Sequence, residues 1–373
     1  MTTKNTSEST ELVPWRPPQS PEEFVRSVAE KKTNEIVGRS LNTAKYEAAN
    51  LTRHLVQILP PLTGQYAVGC AHFAIERPHI ANFIGDRRIE IEIYAPTRKA
   101  GEKKILMRPD PFVEKSMGKQ FSEEQLQELY TYSQDGINPI GTWPIVIFSN
   151  GMGCNPNEYR LLLEQLASHG YLVLNLNHPS SSASLFENVD EKEADAIFNS
   201  LNPETLALKQ EDNIHFIVYE IRNGRLQGLG KTDQIILAGH SLGGAASILA
   251  AQNDPRIKGS INLDGALKGP ENIKTIKPPS PALLLMAQRS DLLQMDEEIQ
   301  VILKKYAQEW TDFGRHSNVN LQIVEGIDHL DFGMVAMLYW LLGKPHLYLG
   351  TLKAHSVASQ AMVQFMHSAT HTK

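Results

Sequence analysis

Short apolar runs recur through the second half of the chain at intervals that suit a parallel sheet. Pro144-Ile145-Val146-Ile147-Phe148-Ser149, Tyr171-Leu172-Val173-Leu174-Asn175-Leu176, Gln234-Ile235-Ile236-Leu237-Ala238, Gly259-Ser260-Ile261-Asn262-Leu263 and Ala282-Leu283-Leu284-Leu285-Met286 are rich in β-branched and aliphatic residues. Each is too short for a helix and bounded by turn formers, which predicts buried strands. Arg88-Ile89-Glu90-Ile91-Glu92-Ile93-Tyr94 alternates strictly, as a half-exposed strand does. Residues 158–169, stopped by Gly170, residues 213–223 and residues 245–251 carry helical patterns between these runs. Residues 319–324 read as a last strand, and a long apolar helical region begins near Phe332. Strands alternating with helices predict a mostly parallel central sheet covered on both faces.

The same patterning divides the chain. Residues 1–21 are polar and contain Val13-Pro14-Trp15-Arg16-Pro17-Pro18, which predicts a flexible lead-in. Residues 22–59 read as a helical N-terminal extension ended by Pro60-Pro61. Residues 60–373 read as one α/β domain. Residues 109–142 and 184–212 interrupt its rhythm, the first with a capping box at Ser122-Glu123-Glu124-Gln125. Both leave strand ends, where ligand sites lie in such sheets. Phe112, Phe121, Leu126, Leu129, Tyr130, Leu185 and Phe186 give them apolar side chains. They are expected to act as lids and line a pocket for an apolar chain.

Charge and cysteine content remove several classes. With 36 Lys and Arg against 42 Asp and Glu, a net charge of −6 gives no footprint for nucleic acid. Cys70 and Cys154 are too few for a disulfide scaffold, and no Cys/His cluster has metal-ligand spacing. No metal and no cofactor are therefore expected. Residues 1–30 lack an apolar signal core, and the longest apolar run, 335–342, is shorter than a membrane span. A cytoplasmic chain is the expectation, without a set oligomeric state. Peripheral contact with a membrane is compatible with it.

The chemistry concentrates at Gly239-His240-Ser241-Leu242-Gly243-Gly244, between a strand pattern and a helix pattern. Gly-x-Ser-x-Gly in that context predicts a nucleophile elbow that presents Ser241 at a strand end. A serine hydroxyl needs a base, and the base an orienting carboxylate, which follow the serine in the order acid, then His. His329 alone among the downstream histidines directly follows a strand pattern. For the acid, Asp264 ends the strand after the elbow and Asp291 follows the next one. Spacing leaves both open, with Asp264 favoured because it needs no loop excursion. An oxyanion hole needs two backbone N–H groups. Leu242 supplies one by position, and Met152 in Asn150-Gly151-Met152-Gly153 is the expected second donor. Gly228-Leu229-Gly230-Lys231-Thr232 ends like a phosphate-binding loop, but Arg225 stands where its first glycine is required.

Several motifs together resemble the plasma and type II platelet-activating factor acetylhydrolases. These are Thr63-Gly64-Gln65-Tyr66-Ala67-Val68-Gly69-Cys70, Ile147-Phe148-Ser149-Asn150-Gly151-Met152-Gly153, Asn177-His178-Pro179-Ser180-Ser181-Ser182-Ala183-Ser184 and the Gly239–Gly244 elbow. The similarity spans roughly residues 60–335. It implies the α/β-hydrolase fold, a cofactor-free serine ester hydrolase, and Asp264 in Leu263-Asp264 as the acid. It also supports His329, Met152 and Leu242 in their roles. A small ester or phospholipid-like substrate with short or oxidised acyl chains follows from the same resemblance. Gln65, Asn150, Pro179 and Ser180 depart from the family pattern around the acyl pocket or its supports.

Overall fold

The computed structural model describes residues 61–78, 83–98, 104–106, 130–138, 140–186, 189–268, 277–288, 297–333 and 345–371. Its ten strands are β1 Ala67–Glu76, β2 Arg88–Thr97, β3 Lys104–Leu106, β4 Tyr130–Asp135, β5 Trp143–Ser149, β6 Leu172–Asn177, β7 Gly230–His240, β8 Gly259–Leu263, β9 Ala282–Ala287 and β10 Val319–Val324. They form one sheet in the order β10-β9-β8-β7-β5-β6-β2-β1-β4-β3. From β10 to β6 every neighbouring pair is parallel. β2 joins β6 antiparallel, and β1 joins β2 antiparallel.

The helices are α1 Arg160–Ser168, α2 Glu191–Ser200, α3 Pro203–Arg222, α4 Leu242–Asn253, α5 Glu297–Phe313 and α6 Pro345–His371. Strand pleating assigns them to opposite faces. Val146, Phe148, Ile236 and Ala238 point to one side, where they pack with Leu162 and Leu166 of α1 and Ala358 and Met362 of α6. Ile145, Ile147, Ile235 and Leu237 point to the other, against Ile214 and Ile217 of α3 and Ala246 and Ala250 of α4. Each of the Val, Leu, Ile, Phe and Met side chains among these contributes about 1.5–3 kcal/mol by leaving water. Trp310 and Phe313 of α5 close the far end over Ala282, Leu284 and Met286.

Two sequence expectations change. The segment 109–142 contains a strand of its own: β4 pairs with β1 and β3. Its Thr131 and Ser133 are buried although polar, so no apolar run marked it. The rest of that segment up to residue 129, including Phe112, Phe121, Leu126 and Leu129, lies outside the described residues. The segment 184–212 overlaps a core helix. Asn202 caps α3 through a bond to the Thr205 N–H, and Pro203 sits at its first turn. Pro is favoured there because its missing N–H is not needed. Residues 203–212 are thus the first half of α3, while residues 191–200 form α2.

Candidate active site

β7 ends at His240 and α4 begins at Leu242, so Ser241 alone makes the turn between them. Its backbone lies at φ 54°, ψ −120°. A non-glycine residue held there costs about 1–3 kcal/mol. The Ser241 N–H donates to the Leu263 carbonyl at 2.8 Å, and its own carbonyl accepts from Ala245 N–H at 3.1 Å. The flanking glycines are required by contact. A Cβ on Gly239 would lie 2.3 Å from the Gly243 carbonyl carbon, and one on Gly243 would lie 2.1 Å from the Ser149 oxygen.

Ser241, His329 and Asp264 meet in a single hydrogen-bonded line. Ser241 Oγ is 3.0 Å from His329 Nε2. His329 Nδ1 is 2.6 Å from Asp264 Oδ2. Asp264 follows β8, at φ 53°. Its N–H donates to Leu285 O, and its Oδ1 accepts from Ala287 N–H at 2.9 Å. The Asn262 amide clamps both the N–H and the carbonyl of the next residue, Gly265. One carboxylate oxygen is thus anchored to β9, and the other faces the imidazole. His329 opens a short 3-10 turn, His329–Phe332, after β10. That turn is tied to α6 by Thr351, whose hydroxyl donates to Asp331. Asp291 falls among residues outside the described set.

The loop after β5 runs beside Ser241. A Cβ on Gly151 would lie 3.2 Å from that of Ser241. Its amides are mostly engaged: Gly151 N–H donates to Tyr159 Oη at 3.2 Å, Gly153 N–H to Ser181 O and Cys154 N–H to Gly151 O. Among the described residues no acceptor meets the Met152 N–H. Leu242 N–H, at the first position of α4, is in the same condition. The side chains of Met152 and Leu242 pack with Leu201, Leu206 and Ala207. Phe186 also approaches this loop at Gly153. Of the apolar residues expected beside the cleft, Phe186 is thereby placed against the loop of Met152.

Sequence reading missed the residues that hold this loop. Gln210 donates to Ser181 Oγ at 2.8 Å and to Asn150 O, and Asn150 Nδ2 donates to the carbonyls of Gly151 and Cys154. Asn213 Nδ2 donates to His178 Nδ1 at 3.0 Å, which leaves His178 Nε2–H to donate to Ser149 Oγ at 3.0 Å. Asn213 is itself fixed by Asp86 and Arg77. A signal for Gln210 and Asn213 existed. They interrupt the buried stripe Leu206, Ala207, Ile214, Ile217, Val218 and Ile221 of α3 at helical spacing, and a polar residue on such a stripe has a partner inside.

Full burial pushes the His178 imidazole down from 6.5 to about 3. The ring is therefore neutral in the fold, as its acceptor role toward Asn213 requires. The unfolded chain binds its proton near pH 6.5. The stability from neutral His178 is complete above that pH and is lost as pH falls toward 3. The expected NMR result is that the His178 ring resonances stay constant from pH 7.5 to 4.5. A titration with a midpoint near 6.5 would contradict the buried neutral ring.

Among the described residues, one group brings metal-ligating atoms together: Cys70, His72 and Glu92, within 4.8 Å of one another. Glu92 already pairs with the Arg160 guanidinium and accepts from Tyr94. Burial, reinforced by the Glu92 charge, pushes the Cys70 thiol far above its ordinary range. The carboxylate is thus balanced from within the protein. A polar cavity of about 470 Å³ adjoins this group and is lined by Glu92, Asn175 and Asn177, but not by Ser241 or His329. In the sheet, β5 and β6 stand between β2 and β7.

Platelet-activating factor acetylhydrolase of Canis lupus familiaris is 23% identical over 292 residues, which cover 67% of this chain and 64% of the dog protein. The match therefore spans less than two thirds of that relative. A probable 1-alkyl-2-acetylglycerophosphocholine esterase of Arthroderma benhamiae is 30% identical over 127 residues, covering 34% of this chain and 32% of that protein. Among solved structures, a ferulic acid esterase from Streptomyces cinnamoneus superposes with a TM-score of 0.64 at 19% identity, covering 83% of this chain and 92% of that one. The mostly parallel sheet, its two helical layers and this superposition give the α/β-hydrolase fold. Among the described residues no helix is long and apolar enough to cross a membrane. A model of the family described as platelet-activating factor acetylhydrolase, isoform II, matches residues 52–228 and 212–368, and the chain belongs to that family.

Proposed function

We propose that this protein is a serine ester hydrolase acting on short-acyl, phospholipid-like esters through an acyl-enzyme. The observation that carries the reading is the line Ser241–His329–Asp264, with contacts of 3.0 and 2.6 Å, together with two amides in the adjoining turns that meet no acceptor among the described residues. His329 takes the Ser241 proton at Nε2 as Oγ attacks the ester carbonyl. Asp264 holds the Nδ1–H tautomer and stabilises the imidazolium that forms. The N–H groups of Met152 and Leu242 receive the oxyanion, where a lost donor typically costs 10²–10³-fold in rate. His329 then returns the proton to the leaving alcohol. Water, deprotonated by the same imidazole, attacks the acyl-enzyme and releases the acid. Every proton is handled by His329, so the scheme needs no metal.

The substrate class rests on the family and on its relatives, an acetylhydrolase and a probable acetylglycerophosphocholine esterase. The test is an acyl-length series, from p-nitrophenyl acetate to palmitate, alongside phosphatidylcholines with an sn-2 acetyl or palmitoyl group. The expected result is the highest kcat/KM for acetyl and other short chains in both series. A preference for long chains would contradict the substrate reading and favour a lipase-like pocket.

A further inference from the structure

We infer that His240, the residue before the nucleophile, is a positioning residue that holds the loop of the general base in register with the oxyanion loop. The inference rests on the functional reading above, but on different atoms. His240 is buried, with 1% of its surface exposed. Its Nε2 lies 2.9 Å from the backbone carbonyl of His329. A carbonyl only accepts, so Nε2 carries the proton. In the neutral ring Nδ1 is then an acceptor, and it lies 2.8 Å from Tyr159 Oη. Tyr159 therefore donates there. Burial raises its phenol well above the ordinary range, so the proton is present. The lone pairs of Tyr159 Oη remain for Gly151 N–H at 3.2 Å.

The result is one directed chain, Gly151 N–H to Tyr159 Oη–H to His240 Nδ1, and His240 Nε2–H to His329 O. It starts one residue before the Met152 amide and ends on the backbone of His329. Packing supports it from both sides. The His240 ring lies 4.6 Å from the His329 ring and 5.8 Å from that of Phe332, centroid to centroid. A Cβ on Gly151 would lie 3.2 Å from His240 Nδ1. His240 touches no reacting atom in this scheme. It sets where the base stands relative to the amides that receive the oxyanion, and a misplacement near 1 Å can cost about 10²-fold in rate.

Side-chain length gives the test. A glutamine amide reaches to the position of imidazole Nε2, whereas an asparagine amide reaches only to that of Nδ1. H240Q retains the donor to His329 O, and H240N keeps only the contact with Tyr159. Purified wild type, H240Q, H240N and Y159F are compared for the rate of Ser241 phosphonylation by a fluorophosphonate, for kcat and KM on p-nitrophenyl acetate, and for Tm. The expected result is a fall in phosphonylation rate and kcat on the order of 10- to 100-fold in H240N. KM stays within about threefold, and H240Q restores most of the loss. Y159F falls between them and covers the case in which H240N does not fold. Equal rates in wild type, H240N and Y159F overturn the inference, as does an H240Q as impaired as H240N at matched Tm. A wild type that the fluorophosphonate leaves unlabelled overturns the hydrolase reading and this inference with it. A labelled wild type with unaffected variants overturns only the inference.

Discussion

Replacing Ser241 by alanine is expected to lower kcat for ester hydrolysis by about 10⁴-fold or more, the loss typical of a triad serine. The hydroxyl makes its one described side-chain bond to His329, so its removal leaves the surrounding scaffold in place. The turn itself supplies a control. Ser241 sits at φ 54°, a conformation that alanine bears at the same strain and glycine adopts freely. Ser241→Gly should therefore be as inactive as Ser241→Ala and more stable, by up to about 1–3 kcal/mol if the strain is fully released. Kinetics and thermal unfolding of the two variants separate loss of chemistry from loss of fold. Either variant retaining a tenth of wild-type kcat would sink the nucleophile assignment.

The second large effect belongs to the acid. Asp264→Asn is expected to cost about 10⁴-fold in kcat, with KM little changed, because an amide donor facing His329 Nδ1 imposes the wrong tautomer. The 2.6 Å contact and the anchoring of the other oxygen by Ala287 leave the carboxylate little room to be replaced by a neighbour. Asp291→Asn should leave kcat within a few-fold of wild type. If Asp291→Asn were the crippled enzyme and Asp264→Asn the active one, the acid would have to be reassigned.

What could be read in the chain depended on whether a feature was local. β5, β6, β8 and β9 announce themselves because each is a short, largely apolar run buried on both faces, and β7 because its second half is one. The elbow was legible because a tight turn needs glycine at Gly239 and Gly243, where any side chain would meet backbone atoms. β4 was not legible: Tyr130-Thr131-Tyr132-Ser133-Gln134-Asp135 buries hydroxyls rather than aliphatic groups. The first half of α3 passed for an insertion, although Asn202-Pro203 is a helix-start signal of cap followed by proline.

The same division runs through the site. Ser241 is defined by its five neighbours in sequence, and His329 by its place after a strand. Spacing left Asp264 and Asp291 both open as the acid; the strand-end position favoured Asp264, and the family resemblance strengthened that choice. The polar partners behind the loops left weaker traces. Tyr159 and His240 are 81 residues apart, and Asp86 and Asn213 are 127 apart. Only the fold makes such residues neighbours, and one sequence shows at most that a polar side chain sits where an apolar one belongs.

The most direct measurement is mass-spectrometric mapping of the site modified by a fluorophosphonate in the native, full-length protein. Phosphonylation demands both a nucleophile and its activation, so it reads the Ser241–His329–Asp264 line without knowledge of the natural ester. The account predicts stoichiometric modification of the peptide that carries Ser241, with loss of all esterase activity, and no modification in Ser241→Ala. An adduct on a different residue, or full esterase activity after Ser241 is modified, would contradict it.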